Sequence, residues 1–194
     1  MISGVLLAAG LSSRMGENKL LVRLGGDSVL RRAARTAAAA GLDSLIVVLG
    51  HESEKARGEL DGIACTAVIN AQYASGMNSS LRAGIGAVPR ESAAAVVLLA
   101  DMPFVSAEMI REVARRWTGE PLVVSLYGEV VAPPILYARA LFPELMETAD
   151  GDCRKRVVKK HRHEALEVRW PEQALADLDV PADVDKARGE IERS

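Results

Sequence analysis

The segment LAAGLSSRMGENK, residues 7–19, carries the residue types that bind phosphate, and it directly follows an apolar run. Gly10 and Gly16 permit positive φ and the close approach of backbone N–H groups to an anion. Arg14 adds a planar guanidinium and Lys19 a compact charge, and two adjacent serines add neutral donors. We therefore predict a loop that holds a polyphosphate.

Two familiar phosphate-binding motifs do not fit this segment. A Walker A loop is excluded because five residues separate Gly10 from Gly16 and Lys19 lies two positions too late. The dinucleotide fingerprint GxGxxG is absent from the loop as well. The alternative interpretation is a Gly/Ser connection with ordinary surface charges.

A carboxylate follows the most apolar run of the chain, where LLADMPFV places Asp101 directly after residues 94–100. A carboxylate that faces a triphosphate is repelled unless a cation lies between them, and Mg²⁺ binds such groups through one or two carboxylates. A turn or capping aspartate is the alternative. Ser106 is available as the cap of the next helix, which favours the metal interpretation.

The segment ALADLDVPADVDKAR offers further carboxylates near the end of the sequence. Pro181 fits the first turn of a helix, so Asp183 and Asp185 are expected to be first-turn charges that the helix dipole favours. Asp177 and Asp179 precede that helix and are the remaining candidates for a metal site.

Two more polar segments could contact substrates. Residues 70–81 are rich in amides and hydroxyls, which either read a nucleoside or simply cap a helix. The basic run CRKRVVKKHRH, residues 153–163, places Arg156 and Lys160 on one helix face, either for an anionic substrate or for solvent. His51 is predicted to lie near the nucleoside segment without a catalytic role.

Alternating apolar and helical runs must position these residues. This βαβα alternation predicts one α/β domain, a three-layer, Rossmann-like structure with a mainly parallel, mixed sheet. Ligands of such sheets lie beyond the carboxyl ends of the strands, where the candidate loops are. Strands are predicted at 5–9, 44–49, 65–69, 94–100, 122–126 and 130–136, and helices at 28–40, 53–60, 78–88, 106–117, 154–160 and 182–191.

The composition narrows the class of protein. Of the 194 residues 49% are hydrophobic and 26% charged, and the formal net charge is −2, so nucleic acid and membrane partners are not expected. The two cysteines, Cys65 and Cys153, form no CxxC pair, and a disulfide framework is not expected. Because the apolar start lacks a basic leader and Arg14 soon follows it, we expect a cytoplasmic protein.

The first loop resembles the pattern AAGxSxRMGxxK of the MobA-like nucleotidyltransferases, and it looks most similar to their molybdenum cofactor cytidylyltransferase (MocA-like) branch. The resemblance implies a single domain over residues 1–194 with the nucleotide-diphospho-sugar transferase type of fold. It also assigns roles to four groups of residues. The nucleotide would contact Leu7, Ala8, Ala9, Gly10, Ser12, Ser13, Arg14, Lys19, Gly76, Ser79 and Ser80; Arg14, Lys19 and Asp101 would be catalytic; Asp101 and Asp179 would hold the metal, with Asp177 as the fallback; Asp152 and Arg156 would contact the second substrate.

The resemblance implies Mg²⁺-dependent transfer of CMP from CTP to the terminal phosphate of molybdenum-bound molybdopterin, with a molybdoenzyme as recipient of the product. Three segments depart from the family pattern: Arg154 stands where a glycine is usual, Val180 stands where a threonine is usual, and VVAPPILY keeps Pro134 but lacks the usual Gly-His pair before it. One alternative is the GTP-using guanylyltransferase, against which Ala9 and Ser12 argue. Another is a non-catalytic protein that delivers the cofactor.

Overall fold

A seven-stranded sheet organises the chain in the computed structural model, which describes residues 1–10, 18–147, 152–176, 178 and 181–191. Its strands are β1 (Ile2–Ala8), β4 (Ser44–Leu49), β5 (Thr66–Ile69), β6 (Ala94–Leu99), β7 (Leu122–Tyr127), β8 (Val130–Ala138) and β9 (Leu166–Trp170). Two shorter strands, β2 (Arg23–Leu24) and β3 (Asp27–Ser28), form a separate antiparallel hairpin.

The strand order β5-β4-β1-β6-β8-β7-β9 makes the sheet mixed. β1 pairs in parallel with both β4 and β6, β4 pairs in parallel with β5, and β7 with β9. β8 is antiparallel to both of its neighbours. Strands β1, β4 and β6 are apolar along almost their whole length because helices cover both of their faces.

Helices form a layer on each face of the sheet: α1 (Val29–Ala39), α2 (Ser53–Gly58), α3 (Met77–Gly86), α4 (Ala107–Arg116), α5 (Phe142–Met146), α6 (Cys153–His161) and α7 (Pro181–Ile191). Side chains of β1 alternate between the layers, so that Leu6 belongs to the core shared with α1 and α4, while Leu7 belongs to the core shared with α3, α5 and α6. Within the described ranges, no helix has the length and apolar character needed to cross a bilayer.

The predicted α/β fold with a mainly parallel, mixed sheet is confirmed, and each predicted strand and helix has an observed counterpart. Strand β9, helix α5 and the short hairpin of β2 and β3 were not predicted. β9 is an edge strand of sequence LEVRW whose Glu167 and Arg169 are exposed, so it lacks the continuous apolar run of the central strands. α5 has only five residues, too few to establish a helical period.

Helix α3 presents a glycine to the sheet, at a point where there is no room for a side chain. A Cβ at Gly84 would lie 2.5 Å from Cγ1 of Val5 and 3.0 Å from Cγ2 of Val48. The absent side chain therefore sets the distance between α3 and the strands β1 and β4. The first turn of α3 depends on that distance for its position at the edge of the sheet.

We expect Gly84→Ala to lower the free energy of unfolding by about 2 kcal/mol, because the added methyl overpacks the contact between helix and sheet. Gly86→Ala is the matched control in the same helix, since a Cβ there meets only the terminal methyl of Met146 at 3.9 Å. It should be neutral or stabilising by roughly 0.5–1 kcal/mol. Urea denaturation of both variants measures the difference, and equal stabilities would contradict the packing argument.

Candidate active site

A cleft of about 240 Å³ opens at the edge of the sheet where β1 and β6 end, beneath the first turn of α3. Its floor is apolar and its rim carries one ammonium and one carboxylate group. The position agrees with the expectation that ligands of such sheets bind beyond the carboxyl ends of the strands. The lining residues are Leu7, Ala8, Ala9, Gly10, Lys19, Leu20, Tyr73, Ala74, Gly76, Met77, Ser80, Leu99 and Asp101.

Most of the predicted site residues that the structure describes meet in this cleft. These residues come from segments that are far apart in sequence: the end of β1, the turn that begins at Lys19, the start of α3, and Asp101 after the end of β6. Ser79 lies behind the cleft wall rather than in it. The remaining predicted residues of the loop and the metal site lie outside the described residues: Ser12, Ser13, Arg14, Asp179 and the fallback Asp177.

Lys19 and Asp101 form an ion pair at the rim of the cleft, with 2.7 Å between Nζ and Oδ2. Their side chains are only 12% and 24% exposed, so water screens the pair less than it screens a surface pair. The register of β1 on β6, in which Leu7 lies beside Leu99, brings the two following loops together. The pair therefore joins the two predicted phosphate and metal segments directly.

The backbone that carries Lys19 is fixed by its neighbours. A 3₁₀ turn spans Lys19–Leu21, and the side chain of Asn18 caps it by accepting a hydrogen bond from the Leu20 backbone N–H at 3.2 Å. Asn18 also donates to the carbonyl of His51, 3.3 Å away. The buried side chain of Leu20 anchors the turn in the core. The lysine thus starts from a rigid base, although its own stem is flexible.

The C-terminal segment reaches the same rim at Leu178. The backbone N–H of Leu178 donates to the carbonyl of Asp101 at 3.0 Å, and the Leu178 side chain is buried in the core. Asp177 and Asp179 are the sequence neighbours of Leu178. Leu178 thus lies alongside Asp101.

The described residues hold no group of three or more His, Cys, Asp or Glu side chains arranged for a metal ion. Mg²⁺ does not require one, because it usually takes one or two carboxylates and completes its octahedron with water and phosphate oxygens. The carboxylate of Asp101 in a phosphate-sized cleft fits that chemistry. The site suits a metal that arrives with a nucleotide better than one held in an all-protein cage.

Gly50 lets three loops touch at the inner end of the cleft. A Cβ at this position would lie 2.6 Å from Cβ of Tyr73 and 2.8 Å from Cβ of Ala9. The loops that follow β1, β4 and β5 can therefore pack against one another, which sets Tyr73 as one wall. The neighbouring His51 has no place among the lining residues.

Asn70 holds the loop before α3, and it was not among the predicted site residues. Its buried amide donates to the hydroxyls of Ser79, at 2.8 Å, and Ser80, at 3.0 Å, while its Oδ1 accepts from the Gln72 backbone N–H at 2.9 Å. The Ser79 hydroxyl also lies 2.8 Å from the carbonyl of Gly76. The position of this asparagine directly after an apolar strand is the sequence feature that could have indicated its role.

The predicted second-substrate residues lie around the start of α6 and do not line the cleft. Asp152 caps α6 by accepting from the Arg154 backbone N–H, and it pairs with the Arg154 guanidinium at 3.0 Å. Burial alone would raise the pKa of the Asp152 carboxyl, but the hydrogen bonds and charge of Arg154 lower it below its usual range. Arg156 instead donates to Glu147 Oε2 at 2.9 Å and fastens α6 to the end of α5.

The cleft also touches α6 indirectly. The backbone N–H of Cys153, the first residue of α6, donates to Oδ1 of Asn78 at 3.1 Å. Asn78 lies next to Met77, which lines the cleft. The starts of α3 and α6 are thus linked at the edge of the sheet where the cleft opens.

The amino-acid sequence is similar to those of three bacterial proteins. The chain is 28% identical to the purine catabolism protein PucB of Bacillus subtilis, covering 95% of each chain. It is also 28% identical to the nicotine blue oxidoreductase of Paenarthrobacter nicotinovorans, over 83% of this chain and 82% of that one. Against the bifunctional protein GlmU of Corynebacterium aurimucosum the identity is 26% over 97% of this chain, which spans only 41% of that longer protein.

Solved structures share the fold. Rv0371c from Mycobacterium tuberculosis superposes with a TM-score of 0.88 at 26% identity, with 97% of each chain covered. The same protein in complex with manganese gives a TM-score of 0.80 at 25% identity, with 97% of this chain and 98% of that one covered.

The sheet order and these structures define the fold of the α/β domain. The chain belongs to the MobA-like NTP transferase domain family, whose model matches residues 4–165. The predicted family is thereby confirmed. Membership implies a nucleoside triphosphate as one substrate.

Asn70→Ala is expected to lower the free energy of unfolding by about 2 kcal/mol, because it removes buried hydrogen bonds and leaves the loop before α3 without its anchor. Gln72→Ala is the control, since the side chain of Gln72 is exposed and its bonds to Asn70 and Ser75 use its backbone. Urea denaturation reports the result. A stability of Asn70→Ala equal to that of the control would show that the network contributes nothing.

Asp152→Asn tests the charge at the start of α6, because asparagine still caps a helix. A folded-state pKa below the unfolded one means that the carboxylate contributes stability above the unfolded pKa of about 4, and that this contribution is lost as pH falls through the folded value. The free energy of unfolding of wild type should therefore exceed that of Asp152→Asn by roughly 1 kcal/mol at pH 7. The difference should be smaller at pH 3 than at pH 7, because protonation of the carboxyl removes the contribution.

Denaturant unfolding at both pH values measures this difference. Glu129→Gln, which removes a carboxylate that is 96% exposed, should leave stability nearly unchanged at either pH. A gap between wild type and Asp152→Asn that is the same at pH 7 and pH 3 would refute the assigned role of the carboxylate.

Proposed function

We propose that the protein is a metal-dependent nucleotidyltransferase that moves CMP from CTP onto the terminal phosphate of molybdenum-bound molybdopterin, releasing pyrophosphate. The observation that carries this proposal is the Lys19–Asp101 pair at the rim of an apolar cleft, at the end of parallel strands. Lys19, the proposed phosphate-binding cation, and Asp101, the proposed metal ligand, both line this cleft.

The reaction is an in-line substitution at the α-phosphorus. An oxygen of the acceptor phosphate bonds to that phosphorus, the bond to the bridging oxygen of the β-phosphate breaks, and pyrophosphate leaves with the electron pair. The attacking oxygen already carries negative charge, so the site needs no general base. Positioning and charge neutralisation then supply the catalysis.

The nucleotide would lie along the end of β1, with its phosphates towards Lys19 and the proposed phosphate ligand Arg14. Backbone groups from Leu7 to Gly10 and the start of α3 form the facing surfaces. Ser80 lines the cleft and accepts from Asn70, so its hydroxyl hydrogen is directed away from that amide and can donate to a base carbonyl. Ser79 would act by holding the loop, since its hydroxyl bonds to backbone carbonyls.

Asp101 would hold the divalent ion together with Asp179, for which the adjacent Leu178–Asp101 hydrogen bond is the support. When bound there, the ion would neutralise charge on the phosphate oxygens around the reacting phosphorus. The manganese complex of the structurally similar Rv0371c is consistent with a divalent ion in this class. We propose Mg²⁺ as the ion.

The second substrate would bind beside Asp101, towards the start of α6. Asp152 would contribute by holding Arg154 in place, and Arg154 stands where the family usually has a glycine. Arg156 could contact a phosphate only by leaving Glu147. We propose that the single domain of residues 1–194 then passes its product to a molybdoenzyme.

A panel of nucleoside triphosphates with molybdopterin, with product identified by mass, tests the proposed reaction. We expect cytidylated product and pyrophosphate with CTP and Mg²⁺. Turnover with GTP alone would instead identify a guanylyltransferase. Binding of the pterin without pyrophosphate release from any nucleotide would identify a delivery protein.

Asp101→Asn keeps the size of the side chain and removes its charge, so it should reduce turnover at least about a thousandfold while the protein remains folded. Asp185→Asn, which removes an exposed carboxylate on α7, is the control and should keep full activity. Pyrophosphate release measures turnover, and circular dichroism checks folding. Full metal-dependent activity in Asp101→Asn would overturn the assignment.

A further inference from the structure

The ammonium group of Lys19 lies where a cation would meet Asp101. Nζ is 2.7 Å from Oδ2, and the two groups share the partly enclosed rim of the cleft. Asp101 is the only carboxylate among the described residues that line the cleft. The protein therefore presents this carboxylate already neutralised by a charge of its own.

A divalent ion that binds Asp101 must approach this ammonium. Two like charges a few ångströms apart repel strongly where water is partly excluded, so the lysine weakens metal binding for as long as it stays paired. The repulsion ends when the ammonium moves to another anion. The four-carbon stem of lysine permits that movement, although the capped turn beneath it is rigid.

The cleft itself supplies the destination. Lys19 lines the same cleft as the end of β1, so a triphosphate bound there would bring several negative charges near its side chain. Once the ammonium pairs with phosphate, Oδ2 of Asp101 is available to a metal ion, and that ion gains phosphate ligands at the same time.

We propose that Lys19 is a resident counter-ion that suppresses divalent-metal binding at Asp101 until a triphosphate draws its ammonium away. Metal and nucleotide binding are then positively coupled through one side chain, and each must raise the affinity of the other. This inference rests on the proposed function for its nucleotide, but its central claim concerns Mn²⁺ binding to the protein alone.

The test is titration of the nucleotide-free protein with Mn²⁺, with free Mn²⁺ measured by electron paramagnetic resonance. Lys19→Met should bind Mn²⁺ roughly tenfold more tightly than wild type, because it removes a positive charge beside the metal site. Lys19→Arg, which keeps the charge, should bind as wild type does. Lys19→Met combined with Asp101→Asn should lose the gain, which would locate it at this carboxylate.

Lys160→Met is the matched control, because Lys160 also pairs with a carboxylate, Glu144 at 3.0 Å, but lies outside the cleft. Its Mn²⁺ affinity should equal that of wild type. Lys19→Gln provides a second neutral variant if Lys19→Met does not fold. Mn²⁺ affinity in the folded neutral variants that is equal to or weaker than that of wild type would overturn the proposal.

A non-hydrolysable CTP analogue separates this inference from the proposed function. Wild-type protein saturated with the analogue should bind Mn²⁺ more tightly than is expected from the separate Mn²⁺ affinities of the free protein and the free analogue. In Lys19→Met, the analogue should raise the Mn²⁺ affinity by a smaller factor. Tighter Mn²⁺ binding by Lys19→Met without any CTP turnover in wild type would support the counter-ion role and refute the proposed reaction. CTP turnover by wild type together with an unchanged Mn²⁺ affinity of Lys19→Met would support the proposed reaction and refute the counter-ion role.

Discussion

The ion pair between Lys19 and Asp101 is the interaction on which the site depends. A carboxylate at the end of a buried strand must stay charged to bind a metal, and a partly enclosed charge needs a partner. The structure supplies the partner from the loop after the neighbouring strand, 82 residues away in sequence. The parallel pairing of β1 and β6 is what makes this contact possible, because it brings the two strand ends to one edge.

The width of the cleft follows from packing rather than from charge. Gly84 lets α3 approach the sheet, and Gly50 lets the loops after β1, β4 and β5 close on one another. These contacts fix the apolar floor and the wall at Tyr73 relative to the charged rim. Under the proposed function, a wider cleft would hold the nucleoside loosely and would position its phosphates poorly beside Lys19.

The central architecture could be predicted from the sequence because strands buried on both faces, such as Ala94–Leu99, have a continuous apolar pattern. The edge strand β9 could not, since its exposed face carries charges. For the site, the residue types in the first loop and at Asp101 indicated phosphate and metal chemistry. Their contact could not be predicted, because it depends on strand register. The part played by Asn70 could not be predicted either, because it acts through the hydroxyls and backbone of a loop.

The basic run at α6 shows why charge in a sequence overstates the charge available to a ligand. In the sequence, residues 153–163 form a strongly cationic segment, but in the folded protein most of these cations pair with acidic side chains. The pairs are Arg154 with Asp152, Arg156 with Glu147, Lys160 and His161 with Glu144, and Arg162 with Glu167.

An incoming phosphate must therefore compete with a carboxylate for these cations, as it must for Lys19. Such competition lowers the affinity for any single anion and favours a ligand that brings several charges in the right geometry. A site assembled from exchangeable ion pairs can thus reject inorganic phosphate while accepting a polyphosphate with its metal. Under the proposed function, selectivity for the charged part of the substrate would therefore follow from the anions already present as much as from the cations.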